Sequence, residues 1–491
     1  MIKNIDVLKF RIVEGAEVYN EEEITRVVYK NGAWPEVEFY IGEALKGLNC
    51  FSFDVKVVGA NNVSLILHSS SDRAIIDVAQ LDNHREVVQN EWRTVKWFFR
   101  DNPGWITPPS LKPFNFDGAS SIGFCQNGEL IKGDCYIEIK NLVVSNESSE
   151  YIEIIKNKEE TEKFISNHKR GSIKDKKLLL WAWDEKQKSC SVFGVANRLD
   201  VYEKYLDFDG LVLEVDDNQF RDTIFTPAEL NYEIFDKAIE VYKKTDWKNF
   251  KYNFFKIDIV GMARFKNPDG LCKRLDWFDD DLFYNKIYPK IAYICKGLKE
   301  IGVDICLDNE SYSTRPYDYY EIYKDNGKSF DEYQDVVRKR GREIAEVIDE
   351  NYPGVTVMMT YGPWTLNINR EEDIYGLLPA LYDGFCEAET SVKFIDGFER
   401  GYGFSNYESV VKGLFECKNC YKQSKYPDRY KEKIGCAFGI WIRPEIFKKH
   451  EFLDMLNASL CETEEYVWVY TENAPVDRAD VLNYLSGKIK K

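Results

Sequence analysis

The chain has 491 residues, 44% hydrophobic and 15% aromatic, which is enough for two or three folded domains and too apolar for a disordered chain. Its net charge of -17 excludes nucleic acid and anionic lipid as expected partners, because phosphate binding needs a basic surface. No apolar run approaches the roughly 20 residues that cross a bilayer, and the opening M-I-K-N-I-D-V-L-K-F lacks the ordered regions of a signal peptide. A cytoplasmic protein without membrane insertion is the expectation, with export of a processed form left open.

From about residue 5 to 146 the pattern is short β segments between turns, among them F-S-F-D-V-K-V-V, V-S-L-I-L-H, W-R-T-V-K-W-F-F and Y-I-E-I-K-N-L-V-V. Such a series without helical periodicity predicts a β-sandwich over 1–148. The run N-E-W-R-T-V-K-W-F-F-R-D, then F-D-G-A-S-S-I-G-F-C and the closing Y-I-E-I-K-N-L-V-V, resembles the jelly-roll carbohydrate-binding modules attached to polysaccharide enzymes. That resemblance implies sugar binding, with Trp92, Trp97 and Trp105 as candidate stacking rings; a purely structural sandwich is the competing reading. The polar stretch that follows, with its Lys/Glu-rich run, predicts a linker plus an exposed helix over 149–177.

Beyond it the pattern becomes apolar strand, loop and helix in repetition. Strands are predicted at Leu178–Asp184, Phe208–Asp216, Asn253–Ile259, Val303–Glu310, Val355–Tyr361, Phe394–Phe398, Ile434–Ile442 and Tyr466–Glu472. Eight units over 178–491 fit a (β/α)8 TIM barrel, and no Gly-rich phosphate loop supports a doubly wound sheet. The expected fold is therefore multidomain, a β-sandwich followed by a barrel.

Barrel enzymes keep their chemistry at the C-terminal strand ends, so the inward-facing residues there matter most. In V-D-I-C-L-D-N-E, Val303, Ile305 and Leu307 alternate with Cys306, Asp308 and Glu310, giving one apolar face and one that ends in acids. The same parity reading sets Leu180 and Ala182 with Asp184, Val212 and Glu214 with Asp216, Phe254 and Lys256 with Asp258, and Trp468 and Tyr470 with Glu472. A carboxylic acid at a barrel rim beside an amide that can bond a hydroxyl suits glycosidic proton transfer.

The Asn309-Glu310 pair at the end of the fourth strand resembles the retaining clan of β/α-barrel glycoside hydrolases, in which an Asn-Glu pair at that place supplies the acid/base. The resemblance implies that Glu310 is the proton donor. The clan's nucleophile closes strand seven, where this chain reads G-C-A-F-G-I-W-I-R-P and offers Arg443 instead. Asp308-Asn309-Glu310 also has the D-x-E spacing of chitinase-like barrels. For the second carboxylate, Glu472 leads on strand parity over Glu399, Asp396 and Asp216, and Asp396 and Glu399 differ in parity, so at most one of them faces the cleft.

Asn309, Asp308, Asp184, Asp216, Asp258, Tyr361, Trp364, Glu399, Arg443 and Trp468 complete the expected substrate site, as hydrogen-bond partners, charge tuners or stacking rings. No cofactor and no metal site is expected: the four His are far apart, and Cys417 and Cys420 lack a second pair for zinc. The twelve Cys, at scattered spacings, are expected to be reduced. The leading function is a glycosidase acting on an oligo- or polysaccharide, a carbohydrate being its partner. The alternatives are a non-catalytic glycan-binding protein on a decayed barrel and Mg²⁺- or Ca²⁺-dependent chemistry at the acids.

Overall fold

The computed structural model describes residues 2–5, 9–21, 23–30, 35–41, 45–59, 62–69, 73–80, 90, 92–97, 99, 105–107, 115–126, 135–146, 151–183, 190–205, 207–215, 220, 223–259, 275–310, 314–364, 370–442 and 448–472. The chain divides into two compact units, Met1–Glu160 and Thr161–Lys491. The division falls inside the helix Tyr151–Asn167 (α1).

The first unit contains β1 (Ile2–Asn4), β2 (Phe10–Glu14), β3 (Ala16–Glu21), β4 (Ile24–Tyr29), β5 (Glu36–Tyr40) and β6 (Cys50–Val58). It continues with β7 (Asn62–His68), β8 (Arg73–Gln80), β9 (Trp92–Trp97), β10 (Trp105–Thr107), β11 (Ser121–Gln126) and β12 (Cys135–Ser145). One antiparallel sheet runs β3-β4-β12-β6-β9, with β1 on β12; the other runs β10-β8-β7-β11-β5-β2. Alternation explains the packing: along β4, Thr25, Val27 and Tyr29 are buried between half-exposed neighbours. The two inner faces share one core, in which Phe39 and Phe53 each meet Phe124 edge to face, at 5.9 and 5.4 Å between ring centroids. This is a β-sandwich.

The second unit is built on nine parallel strands: β13 (Lys177–Trp183), β14 (Gly210–Leu213), β15 (Phe254–Asp258), β16 (Asp304–Asp308), β17 (Thr356–Met359), β18 (Lys393–Asp396), β19 (Ile434–Cys436), β20 (Phe438–Trp441) and β21 (Tyr466–Glu472). Their order is β19-β18-β17-β16-β15-β14-β13-β21-β20, so the two ends of the sheet are β19 and β20. Only Ala437 separates those two in sequence, which brings the ends together into a nearly closed barrel. Helices lie between consecutive strands other than β19 and β20, including Tyr232–Lys244 before β15, Tyr288–Ile301 before β16 and Phe330–Asn351 before β17. The last begins with a capping box between Ser329 and Glu332, and Gly302 ends its predecessor in a left-handed turn at φ 65°.

Two faces follow from the period of two. Trp181, Val212, Phe254, Cys306, Met358, Ile395 and Trp468, one from each of seven strands, belong to a single buried cluster and form the barrel interior. Leu180, Leu211, Leu213, Ile305 and Leu307 pack outward with the helices. The alternation expected for Val303 to Glu310 is therefore found, with Cys306 inside and Ile305 and Leu307 outside. Strand β13 corrects the reading made for it: Leu180 and Ala182 face the helices, while Leu179 and Trp181 face the interior. Every residue from Leu178 to Trp183 is apolar, so the sequence there carries no alternation from which to tell one face from the other.

Candidate active site

The C-terminal ends of β15 and β16 carry the charged floor of the barrel mouth. Asp258 and Asp308 are register partners on these neighbouring strands. Lys256 Nζ lies 2.8 Å from Asp308 Oδ2 and 3.3 Å from Asp258 Oδ1, and all three side chains are buried. Burial alone would raise the Asp308 carboxyl, but the Lys256 ammonium, the Glu310 N–H and the Thr360 hydroxyl hold it below the usual carboxylate range. Asp308 Oδ1 accepts from Glu310 N at 3.3 Å and from Thr360 Oγ1 at 3.0 Å.

Asn309 is fully buried and locks two strands together. Its Nδ2 donates to Tyr361 O at 2.6 Å, and its Oδ1 accepts from Tyr361 N at 2.8 Å. The amide thus holds the chain just after β17, and its side chain is buried. Glu310, the next residue, is half-buried.

The turn after β18 brings the second acid. Asp396 shares its parity with Phe394, which packs outward, so its carboxyl is fully buried beneath the mouth. Its Oδ1 accepts from Phe398 N at 2.9 Å and from Trp364 Nε1 at 3.4 Å, and its Oδ2 accepts from Cys417 Sγ at 3.7 Å. Burial pushes this carboxyl up to about 7. Phe398 takes a left-handed backbone at φ 44°, uncommon for a bulky residue, and Glu399 follows it.

Glu399 is half-buried, and its carboxyl faces those of Glu310 and Asp308 and the Tyr402 hydroxyl. Burial first, and then the charges of Glu310 and Asp308, push it well above the usual carboxylate range. Two interacting carboxyls titrate as a pair and not as independent groups. Glu399 is thus the acid of strand six that meets Glu310.

Two aromatic groups adjoin these acids, one through Tyr361, bonded to Asn309, and one through Tyr402, which interacts with Glu399. Tyr361 stacks on Tyr375 with centroids 4.0 Å apart and planes 9° apart, and Trp364 lies 4.3 Å from Tyr361. Tyr402 stacks on Tyr470 at 5.7 Å and meets Trp441 at 5.6 Å. Tyr361, Trp364, Tyr402, Trp441 and Tyr470 are all half-buried, so each keeps some surface open. Trp468 is fully buried, donates from Nε1 to Gly397 O at 2.8 Å and packs against Tyr402 of the second group.

The structure thus brings together Glu310, Glu399, Asp308 and Asp258, with Tyr361 and Trp364 near them. Asp184, Asp216, Arg443 and the side chain of Glu472 lie outside the described residues; Glu472 ends β21 in register with Trp183. The side chains of Trp97 and Trp105 are likewise outside the described residues, and the Trp92 ring is exposed with Lys140 Nζ 4.3 Å from its centroid. Sequence reasoning gave no role to Lys256, Thr360 and Tyr402. Lys256 was legible as a cation two residues before Asp258 on the same strand face; Thr360 and Tyr402 had no comparable signal.

Among the described residues, Glu36, Glu38 and His68 are the one group of three whose ligand atoms lie within 4.8 Å of one another as a metal site requires. Within this group His68 Nε2 is 2.6 Å from Glu36 Oε1, and Arg11 bonds Glu38 from Nε at 3.1 Å and Nη2 at 2.8 Å. Gly123 makes room for them, since a Cβ there would stand 2.2 Å from Glu36 Oε1. At the barrel mouth Lys256 Nζ contacts both Asp258 and Asp308.

No protein-family model matches the chain, and no curated protein matches it. Among solved structures, the N-terminal part is similar to a family 11 carbohydrate-binding module from Clostridium thermocellum in complex with a β-1,3-1,4-mixed-linked tetrasaccharide. The identity is 17% over 30% of this chain and 95% of that one, with a TM-score of 0.24. A family 29 carbohydrate-binding module aligns at 15% identity over 28% of this chain and 82% of its own, with a TM-score of 0.19.

Proposed function

We propose that the second unit is a (β/α)8 barrel whose seventh strand is interrupted at Ala437, that it is a glycoside hydrolase, and that the sandwich is its glycan-binding module. The observation that carries the hydrolase reading is the carboxyl pair: Glu399, raised by burial and by the charge of Glu310, sits against Glu310 at the C-terminal end of parallel strands. The half-buried rings that adjoin the acids support a sugar substrate, because flat apolar faces with polar edges suit pyranose stacking. The exposed Trp92 ring supports sugar binding by the sandwich.

In this reading Glu310 and Glu399 share one proton before reaction. Glu310 passes it to the glycosidic oxygen as that bond breaks, and the departing sugar leaves as an alcohol. The two carboxylates, now both anionic, stabilise the positive charge that develops on the ring. Water adds to the anomeric carbon, and its released proton returns to the pair.

The test is release of reducing ends from a panel of soluble polysaccharides by the native chain, Glu310→Gln and Glu399→Gln, with folding checked by circular dichroism. Loss of kcat by about 10²- to 10⁴-fold in Glu310→Gln is expected. Unchanged turnover in that variant overturns the assignment, and glycan binding with no turnover by the native chain establishes the glycan-binding alternative instead.

A further inference from the structure

Lys256 sits within β15 on the interior face, 5% exposed, where a lysine is rare unless paired. Besides its contacts at 2.8 Å with Asp308 and 3.3 Å with Asp258, its Nζ lies 4.6 Å from the centroid of the Trp181 ring. Asp258 and Asp308 are direct register partners on parallel strands, whose backbones run about 4.8 Å apart. Two buried carboxylates at such a spacing do not stay ionised together unless a positive charge bridges them. A hard divalent cation is the common solution among carboxylate oxygens; here the bridge is a side chain.

We propose that Lys256 is a built-in counter-ion that takes the place of a bound cation, keeping Asp258 and Asp308 ionised together and, through Asp308, positioning Glu310. Asp308 is the link, because its Oδ2 rests on Lys256 while its Oδ1 receives the Glu310 N–H and the Thr360 hydroxyl. Among the described residues, other ionisable groups that interact with Asp308 include Cys306, Tyr317 and Glu399. Burial keeps the Cys306 thiol and the Tyr317 phenol protonated and neutral, and Glu399 is an acid, so none of them offsets the Asp308 charge. Among the described residues, the cation that does so is Lys256.

The counter-ion role stands independently of the catalytic reading; the positioning of Glu310 rests on it. The two are separated by measuring stability and turnover on the same variants. In Lys256→Met one of the two aspartates must take up a proton, so its folded-state pKa rises and its contribution to stability is lost as pH rises. The gap in Tm between the native chain and Lys256→Met is therefore expected to widen from about pH 4 to pH 8, reaching about 5 °C or more. Removing the uncompensated buried carboxylate as well should recover stability, so Lys256→Met/Asp308→Asn is expected to melt above Lys256→Met at pH 8. That double variant carries the test if Lys256→Met alone does not fold. A gap that stays constant with pH, or a double variant no more stable than Lys256→Met, overturns the counter-ion role.

For the positioning role, Lys256→Ala is expected to lose about 10- to 100-fold in kcat with little change in KM, the usual cost of a lost supporting contact. Ethylammonium ion should restore part of that kcat, and ethanol, similar in size and uncharged, should not. Equal rescue by both overturns positioning by charge, while absence of turnover in the native chain overturns the hydrolase reading and leaves the melting test to decide on Lys256.

Discussion

The Glu399 carboxyl, on the turn after β18, meets the Glu310 carboxyl, which follows β16 two strands away. Strand β17 lies between them, and its end is tied to both neighbours: Asn309 holds Tyr361, and Glu399 N donates to Thr360 O at 3.1 Å. The pair is therefore positioned by backbone. Because Glu399 titrates above its unfolded value, its stabilisation is complete below the unfolded carboxylate pKa of about 4.3 and is lost as pH rises through the folded value. Glu399→Gln, which cannot ionise, should therefore gain in Tm over the native chain as pH rises from 5 to 9, measured by scanning calorimetry. A pH-independent difference would remove the proposed proton sharing.

Asp396 gives a second pH signature. Its folded value of about 7 lies above the unfolded value of about 3.9, so the native chain loses stability between those limits as pH rises. Asp396→Asn keeps an oxygen to accept from Phe398 N and Trp364 Nε1 and has no charge to bury. Urea titrations of the two proteins should show the variant gaining roughly 2–4 kcal/mol on the native chain between about pH 4 and pH 8.

Gly362 is fixed by the same carboxyl. A Cβ at this position would stand 1.8 Å from Asp396 Oδ2 and 2.4 Å from its Cγ. Asp396 is buried and held by three donors, so it has little room to move away. Gly362→Ala should cost about 1–3 kcal/mol of stability by urea unfolding, the usual range for overpacking a closed site. It should also quench or shift Trp364 fluorescence, because that ring shares Asp396 Oδ1.

Asn309→Ala separates holding a strand end from binding a sugar. It removes the partners of both Tyr361 backbone groups, and a loss of about 1–3 kcal/mol in unfolding free energy is expected. If Asn309 instead bound substrate, stability would be unchanged and KM alone would rise.

Where polar and apolar residues alternate, sequence alone placed the side chains correctly: Ile305 and Leu307 outward, Cys306 and Asp308 inward. All eight predicted strand stretches contain a strand. The reading failed where alternation is missing, as along Leu178 to Trp183, and where a turn re-aims the chain. Glu399 was visible as an acid among glycines, but its contact with Glu310 depends on the left-handed Phe398 and the buried Asp396 carboxyl under it, neither of which has a periodicity. Asn309 was singled out for a hydrogen-bonding side chain, which it has; that the partner is the Tyr361 backbone is a tertiary fact.

The break at Ala437 leaves β19 bonded to β18 and β20 bonded to β21, so the sheet is joined there by two short ladders. The ring of Tyr402, from the β18 side, bridges that seam by contacts with Trp441 on β20 and with Trp468 and Tyr470 on β21. The seam, where Ala437 N also donates to Asp396 O at 2.8 Å, is thus crossed by a side chain that also adjoins Glu399. Removing the Tyr402 ring would therefore strip contacts from β20 and β21 at the seam and from the surroundings of Glu399 in a single step.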